Sequence, residues 1–272
     1  MSIDLDAYCR RIGYTGERVP TIDTLRAVHQ YHPQAIAFEN LDPLLKRIVH
    51  LDAASLAQKM LTDARGGYCF EQNLLFGYAL DALGFKVRWL TGRTRWGAAK
   101  DAVKPRTHML LLVEAEGRSF LADVGFGANT LTGPLLLDSR DEQPTPHERF
   151  LLVEAGEQLI MQVKVRNAWS DLYGFDLSEQ LLPDLETGNW YASTHPSSRF
   201  VNELMVTRAE PNHRYALHNN ELSVHRRNGE TEKQTLRSVP ELRDALTDLF
   251  KLRLAGLEGL DPALARLTGG ST

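Results

Sequence analysis

The hydrophobic period of this chain changes at Gly84, and that change divides the fold. Before it, apolar residues recur at the spacing of amphipathic helices, which predicts helical segments near Leu5 to Ile12, Ile22 to Tyr31, Ala54 to Leu61 and Cys69 to Leu83. The third carries Leu56, Met60 and Leu61 behind Asp52, a capping residue. Gly84 supplies the left-handed position on which the fourth stops. Helices of this kind bury their apolar stripes together, so residues 1–84 are expected to form a bundle. After Gly84 the pattern becomes strand-like: KVRWLTGRTRW, THMLLLVEAEGRSFLADVGFG, ERFLLVEAGEQLIMQVKV and SDLYGFDL, with turns at Glu116-Gly117 and Gly156-Glu157. A mostly antiparallel sheet or small β-barrel is expected over 85–190. Residues 191–272 mix strands (FVNELMVTR, and RYALHNNELSVHR around an Asn219-Asn220 turn) with a helix opened by a Ser238 to Glu241 capping box and Pro240. The fold class is therefore α+β in three lobes: an N-terminal helical bundle, a central antiparallel β-barrel and a C-terminal α/β lid. With no repeat or long linker between them, the lobes should share interfaces.

Composition narrows the partners. Apolar residues make up 43% and charged residues 24% of the chain, the balance of a folded globular protein. The net charge of −4 is spread along the sequence and offers no cationic face, so nucleic acid is not an expected partner. No apolar run is long enough to span a bilayer, and MSIDLDAYCRRIGY lacks the basic-then-apolar layout of a signal peptide. No membrane partner and a cytoplasmic location are expected. The two cysteines, Cys9 and Cys69, sit outside any CxxC pair and are taken as reduced thiols. Cys9, inside a helical pattern without preceding glycines, reads as a packed apolar side chain.

Cys69 is different, because ARGGYCFEQN places it at the first turn of a helix directly after two glycines. Helix N-termini present unpaired N–H groups and partial positive charge, which favour a thiolate nucleophile. Gly66 and Gly67, lacking a Cβ, would let a substrate carbonyl approach and the Cys69 amide point at a developing oxyanion. A second reading is a small core residue under a tight turn. A nucleophilic cysteine needs a base and a group that orients the base. RTHMLLLVEAEGRSFLADVGFG reads as a hairpin with His108 starting one strand and Asp123 ending the next. A two-residue Glu116-Gly117 turn sets His108 opposite Gly125 with Asp123 diagonal on the same face; a turn centred on Ala115-Glu116 sets Asp123 directly opposite. Taken singly, His108 is equally a strand-end histidine and Asp123 a turn carboxylate. His29 and His32 share a helix face but lack a third ligand, so no metal site is expected.

RGGYCFEQN, THMLLLV and DVGFG together resemble the arylamine N-acetyltransferases, which share a Cys-His-Asp arrangement with papain-like cysteine proteases and transglutaminases. AFENLD, RTRWG and NWYASTHPSSRF extend the resemblance over most of the chain; after Phe200 it is weak. It implies that Cys69 attacks the thioester of acetyl-CoA, forms an acetyl-cysteine and passes the acetyl group to an arylamine, arylhydrazine or arylhydroxylamine, with ping-pong kinetics. His108 would be the base and Asp123 its orienter. Acetyl-CoA would be a co-substrate, with no tightly bound cofactor, and the enzyme a monomer or homodimer of xenobiotic metabolism. Glu39 and Arg65 would pair to brace the nucleophile turn, or stand as solvated charges. Asn73, one helical turn from Cys69, would hydrogen-bond near the histidine, or satisfy backbone. The coenzyme would lie along Gly125, Phe126 and Gly127, through amides in the loop GFGANTLTG, with Thr107 beside it. Phe38 and Tyr68 would hold the acceptor ring unless they pack in the core. The same triad would also suit a cysteine hydrolase or an amide synthase acting on a carrier-bound acyl chain, and a noncatalytic binding protein is a third reading.

Overall fold

Asp4 opens the first helix of the computed structural model, which describes residues 3–99 and 102–269. Its carboxylate accepts the Ala7 N–H at 3.0 Å to start α1 (Leu5–Ile12), which Gly13 closes at φ +73°. Thr21 caps α2 (Ile22–Ala35), which runs one turn past the expected Tyr31 and carries Pro33 within its last turn. A two-residue strand β1 (Phe38–Glu39) and a short α3 (Leu41–Leu44) follow. Asp52 then caps α4 (Ala53–Ala57), whose axis continues through a π-helical turn, Gln58–Thr62. The last helix of the bundle, α5 (Cys69–Ala82), is buried on all sides down to Glu71, Gln72 and Asn73. A helix enclosed this way is a core element rather than a surface one. Its Leu74 and Leu75 share one apolar core with Leu25, Val28, Leu56 and Met60 of the other helices.

Eight antiparallel strands make the barrel-like sheet: β2 (Lys86–Thr94), β3 (Arg106–Ala115), β4 (Arg118–Ala122), β5 (Leu135–Leu136), β6 (Gln143–Pro144), β7 (Arg149–Ala155), β8 (Gln158–Val165) and β9 (Ala168–Phe175). Their order is β5-β4-β3-β2-β9-β8-β7-β6. Strand β3 is buried on both faces. Leu110 and Leu112 join Leu90, Phe150, Met161 and Phe175 in the barrel core, while Met109, Leu111 and Val113 pack on the α5 side. That explains why THMLLLV is continuously apolar instead of alternating. The β3–β4 turn is the two-residue Glu116-Gly117 form, with both residues at positive φ and Ala115 opposite Arg118.

The third lobe comprises α6 (Leu182–Thr194), α7 (Arg199–Asn202), β10 (Met205–Glu210), β11 (His213–His218), β12 (Glu221–Arg226), β13 (Thr231–Thr235), α8 (Val239–Asp244) with a π-helical turn at Ala245–Leu249, and α9 (Leu260–Leu267). Its sheet runs β1-β10-β11-β12-β13, so the N-terminal segment supplies an edge strand, with Phe38 opposite Thr207 and Glu39 opposite Val206. Ala37, Leu41 and Leu44 lie in that lobe's apolar core. The lobes therefore interlock, and clean cuts after residues 84 and 190 do not describe them. The barrel ends at Phe175, and α6 crosses position 190. A two-residue strand such as β1 leaves no hydrophobic period for a sequence to show. No described helix is long and apolar enough to cross a membrane.

Candidate active site

The turn before α5 lies directly on β1. A Cβ on Gly66 would stand 2.0 Å from the Ala37 carbonyl oxygen, and one on Gly67 would stand 2.7 Å from Cβ of Glu71. The Gly67 carbonyl accepts from the Glu39 N–H at 3.0 Å and from Gln72 Nε2 at 3.1 Å. These glycines thus make room for the protein's own backbone and side chains. The expectation that they open a path for a substrate carbonyl is corrected by that packing. Arg65 and Glu39 are both buried and paired, Nε to Oε1 at 2.8 Å, while Glu39 Oε2 accepts the Leu41 N–H at 2.6 Å. The pair ties the turn before α5 to α3.

Cys69 is the first residue of α5, and its Sγ lies 3.4 Å from the Thr107 carbonyl oxygen at the start of β3. One residue on, His108 Nε2 meets Asp123 Oδ2 at 2.7 Å. The register of the β3–β4 hairpin, continued past Leu111 and Ala122, puts these two side chains diagonal on one face. With Nε2 on the carboxylate, Nδ1 is left for the sulfur. Burial pushes the imidazole pKa down, but the Asp123 charge and hydrogen bond, followed by Cys69, outweigh it and raise the value to about 10. His108 therefore faces the sulfur as a protonated donor at neutral pH. Burial likewise pushes the Asp123 carboxyl up, but His108 first, then Asn73 and the Gly125 amide, hold it below its usual range. All three residues are enclosed, at 3%, 3% and 0% exposure for Cys69, His108 and Asp123.

The remaining expected residues fall into two groups. Asn73 bonds Asp123 rather than the histidine: Nδ2 donates to Oδ1 at 2.9 Å and to the Met109 carbonyl at 2.7 Å, and Oδ1 accepts the Val124 N–H at 3.0 Å. Phe126, half-buried, packs edge-on against His108 at 5.0 Å and beside Tyr173; Thr107, the residue before His108, is also half-buried. Two of the loop amides expected to face phosphate point inward. Gly125 N–H donates to Asp123 Oδ1 at 2.9 Å and Phe126 N–H to Thr130 Oγ1 at 3.2 Å. Gly125 presses on α5, where a Cβ would stand 2.9 Å from Cα of Cys69. Gly127, at φ +85°, lies over the Phe38 ring. Phe38 is nearly buried and packs on Phe200. Tyr68 is fully buried between Phe70 and Phe200 with its hydroxyl on Asn189, so its expected contact with an acceptor ring gives way to core packing.

Several neighbours carried no local signal in the sequence. His29, weighed there only as a metal ligand, accepts the Asp123 backbone N–H on Nε2 at 3.1 Å. Burial lowers its pKa to about 4, which keeps it the neutral acceptor this bond needs. The Tyr173 ring lies 4.6 Å from His108 although the two are far apart in sequence. A cavity of about 580 Å³ is lined by Arg95, Trp96, Gly97, Ala98, Ser170 and Asp171, so part of the RTRWG motif borders open space on the barrel; none of the three central residues lines it.

Comparison with known proteins agrees over the whole length. The sequence profile of the N-acetyltransferase family matches residues 21–258. An arylamine N-acetyltransferase of Mycolicibacterium smegmatis is 42% identical over 266 residues, 96% of each chain. One from Escherichia coli K12 is 41% identical over 91% of this chain and 88% of its own. The solved structure of Mycobacterium marinum arylamine N-acetyltransferase in complex with CoA superposes with a TM-score of 0.94 at 40% identity, covering 99% of this chain and all of that one.

Proposed function

The chain belongs to the arylamine N-acetyltransferase family and is an acyltransferase, and from that premise we propose that it moves an acetyl group from acetyl-CoA to small aromatic amines or hydrazines through an acetyl thioester on Cys69. The observation that carries this reading is the His108–Asp123 hydrogen bond of 2.7 Å standing beside a cysteine at a helix start. The Cys69 sulfur attacks the thioester carbonyl, and the first-turn amides of α5, which have no intrahelical acceptor, stabilise the oxyanion. Collapse of the tetrahedral adduct breaks the bond to the CoA sulfur, which takes the His108 proton and leaves as free thiol. In the second half-reaction the amine attacks the acetyl thioester, His108 accepts the proton lost from nitrogen, and the amide leaves with the Cys69 sulfur restored. The free CoA thiol departs before the amine reacts at the same sulfur, which gives ping-pong kinetics.

Burial of the triad favours transfer over hydrolysis, because an acetyl-enzyme with so little contact to solvent is shielded from water. The half-buried pair Phe126 and Thr107 forms the mouth through which we bring the pantetheine arm and then the acceptor; the inward-turned amides of Gly125 and Phe126 leave contact there to side chains and to Gly127. Intact mass after mixing with acetyl-CoA alone is the test. The expected result is a gain of one acetyl group on Cys69 in the wild type and none in Cys69→Ala, with discharge on adding an aromatic amine. Acetyl-CoA turnover that is independent of amine, or undiminished in Cys69→Ala, contradicts the proposal.

A further inference from the structure

The start of α5 is held by a carboxylate that the chemistry above does not use. Tyr68 is the residue before the helix, and it has no side chain suited to capping. Glu71 supplies part of the missing cap. Its Oε2 accepts the Tyr68 N–H at 3.1 Å, folding back over a Gly67 whose missing Cβ gives the side chain its place. Lys59, in the π-helical turn after α4, holds the other oxygen at 2.6 Å and reaches Asp42 of α3 at 2.5 Å. Asp42 in turn lies 3.4 Å from Arg65 and from Arg47 at the rim, and Arg65 pairs with Glu39 of β1. Three carboxylates, Glu39, Asp42 and Glu71, thus share two enclosed cations, Lys59 and Arg65, on the floor beneath the nucleophile.

We propose that Glu71 is a positioning residue for Cys69: by gripping the Tyr68 amide from within this ion-pair chain, it fixes where the first turn of α5, and with it the sulfur and the oxyanion-binding amides, stands relative to His108. This rests on the reading of Cys69 as the acetylated nucleophile. The chain also makes the grip sensitive to pH. Burial pushes the Asp42 carboxyl up, but Lys59, which also serves Glu71, together with Arg65 and Arg47, outweighs it and holds Asp42 below its usual range. Burial, opposed by Lys59 and reinforced by the charges of Asp42 and Glu39, leaves Glu71 raised to about 7. A proton on Glu71 removes its attraction to Lys59 while leaving a carbonyl oxygen for the Tyr68 N–H. Glutamine imitates that protonated form, and alanine removes the grip altogether.

The experiment measures the first half-reaction in the full chain, as single-turnover acetylation of Cys69 by acetyl-CoA from pH 5.5 to 9, for wild type, Glu71→Gln, Glu71→Ala and Lys59→Met, with melting temperatures alongside. A displaced nucleophile is slow without binding donor less well, so Glu71→Ala should lower the limiting rate about tenfold with the half-saturating acetyl-CoA concentration changed less than about twofold. Glu71→Gln should recover most of that loss, running about threefold below wild type at pH 8 and independent of pH, on the plateau the wild type reaches as Glu71 protonates below pH 7. Lys59→Met should move the wild-type step to higher pH by about one unit, because a carboxylate without its cation protonates more readily. Wild-type rates in Glu71→Ala, or a Glu71→Gln as slow as Glu71→Ala, overturn the inference alone. A wild type that is not acetylated at Cys69 overturns the nucleophile assignment and the inference with it.

Discussion

Asp123 is a fully buried carboxylate, and each of its polar atoms is held by a different part of the molecule. Oδ2 faces His108, Oδ1 accepts from Asn73 and the Gly125 amide, the backbone N–H goes to His29, and the carbonyl accepts from Thr130 Oγ1 at 2.9 Å. A buried charge is tolerated only with such complete partnering, and the same bonds leave the carboxylate one position from which to orient the imidazole. Glycine does comparable work beside Cys69. The Gly66 α-carbon faces a backbone carbonyl, which has no freedom to give way, so Gly66→Ala should destabilise the protein by about 3 kcal/mol or more through overpacking. Gly229→Ala is a fair contrast. That glycine sits at φ +92° with nothing within 4 Å, and its replacement should cost about 1 kcal/mol of backbone strain alone. Urea denaturation of the two variants checks the order; equal losses would mean that the close approach at Gly66 relaxes freely.

At the scale of single elements, the readable parts were those governed by local rules. The β3–β4 register followed from a two-residue turn and the two-residue period of strands, which is why His108 and Asp123 could be set on one face from sequence. The cap at Asp52 and the stop at Gly84 are likewise local. What escaped was set by packing between distant segments: the glycines' true neighbours, the inward turn of the loop amides, and the polar chain inside the bundle. In that chain the Tyr8 hydroxyl donates to His32 Nδ1 at 2.8 Å, His32 Nε2 donates to Gln72 Oε1 at 2.7 Å, and Gln72 Nε2 donates to the carbonyls of Ala37 and Gly67. The direction follows from Gln72, whose amide nitrogen is committed to carbonyls and whose oxygen must therefore accept. Burial lowers the His32 pKa to about 3 and that of His29 to about 4. Between pH 4.5 and 5.5, where His108 is protonated both in the fold and in the unfolded chain, unfolding therefore takes up a proton at each of these two histidines, while Glu71, raised to about 7 in the fold, releases one. The net uptake of about one proton means that stability falls on acidification through this window by about 1.4 kcal/mol per pH unit; above the ordinary histidine pKa the sign reverses, because His108, raised to about 10, keeps its proton only in the fold. Denaturation in urea at pH 5.5 and 4.5 measures it; equal or greater stability at pH 4.5 would contradict the neutral state of the two histidines.

For the molecule as a whole, the third lobe reaches the active site through arginines rather than through a catalytic group of its own. Arg208 of β10 donates to the carbonyls of Gln34 and Leu249, and Arg11 of α1 to those of Ala35 and Met60, all at or near the ends of helical segments, where a cation is favoured. The Arg208–Gln34 contact fastens the bundle to the C-terminal sheet, while those of Arg11 tie α1 to α2 and to the π-helical turn within the bundle. Arg214 of β11 fastens the same sheet to the loop beside Asp123. It is 4% exposed, holds Glu148 in a two-pronged pair at 2.9 and 2.6 Å, and donates to the Thr130 carbonyl at 2.8 Å. Thr130 is the residue whose hydroxyl holds the Asp123 carbonyl and accepts the Phe126 N–H. A chain of contacts thus runs from the lid to the carboxylate that orients His108. Arg214→Met keeps much of the side-chain volume, removes every one of these hydrogen bonds and strands Glu148, so it should lower stability by about 3 kcal/mol and slow acetylation of Cys69. If the stability loss comes from stranding the charge, Arg214→Met with Glu148→Gln should recover part of it. The acetylation defect should remain in the double variant, because the Thr130 contact is still missing. Urea unfolding and single-turnover acetylation of both proteins separate the two effects, and full recovery of rate in the double variant would show that the lid does not act on the site through Thr130.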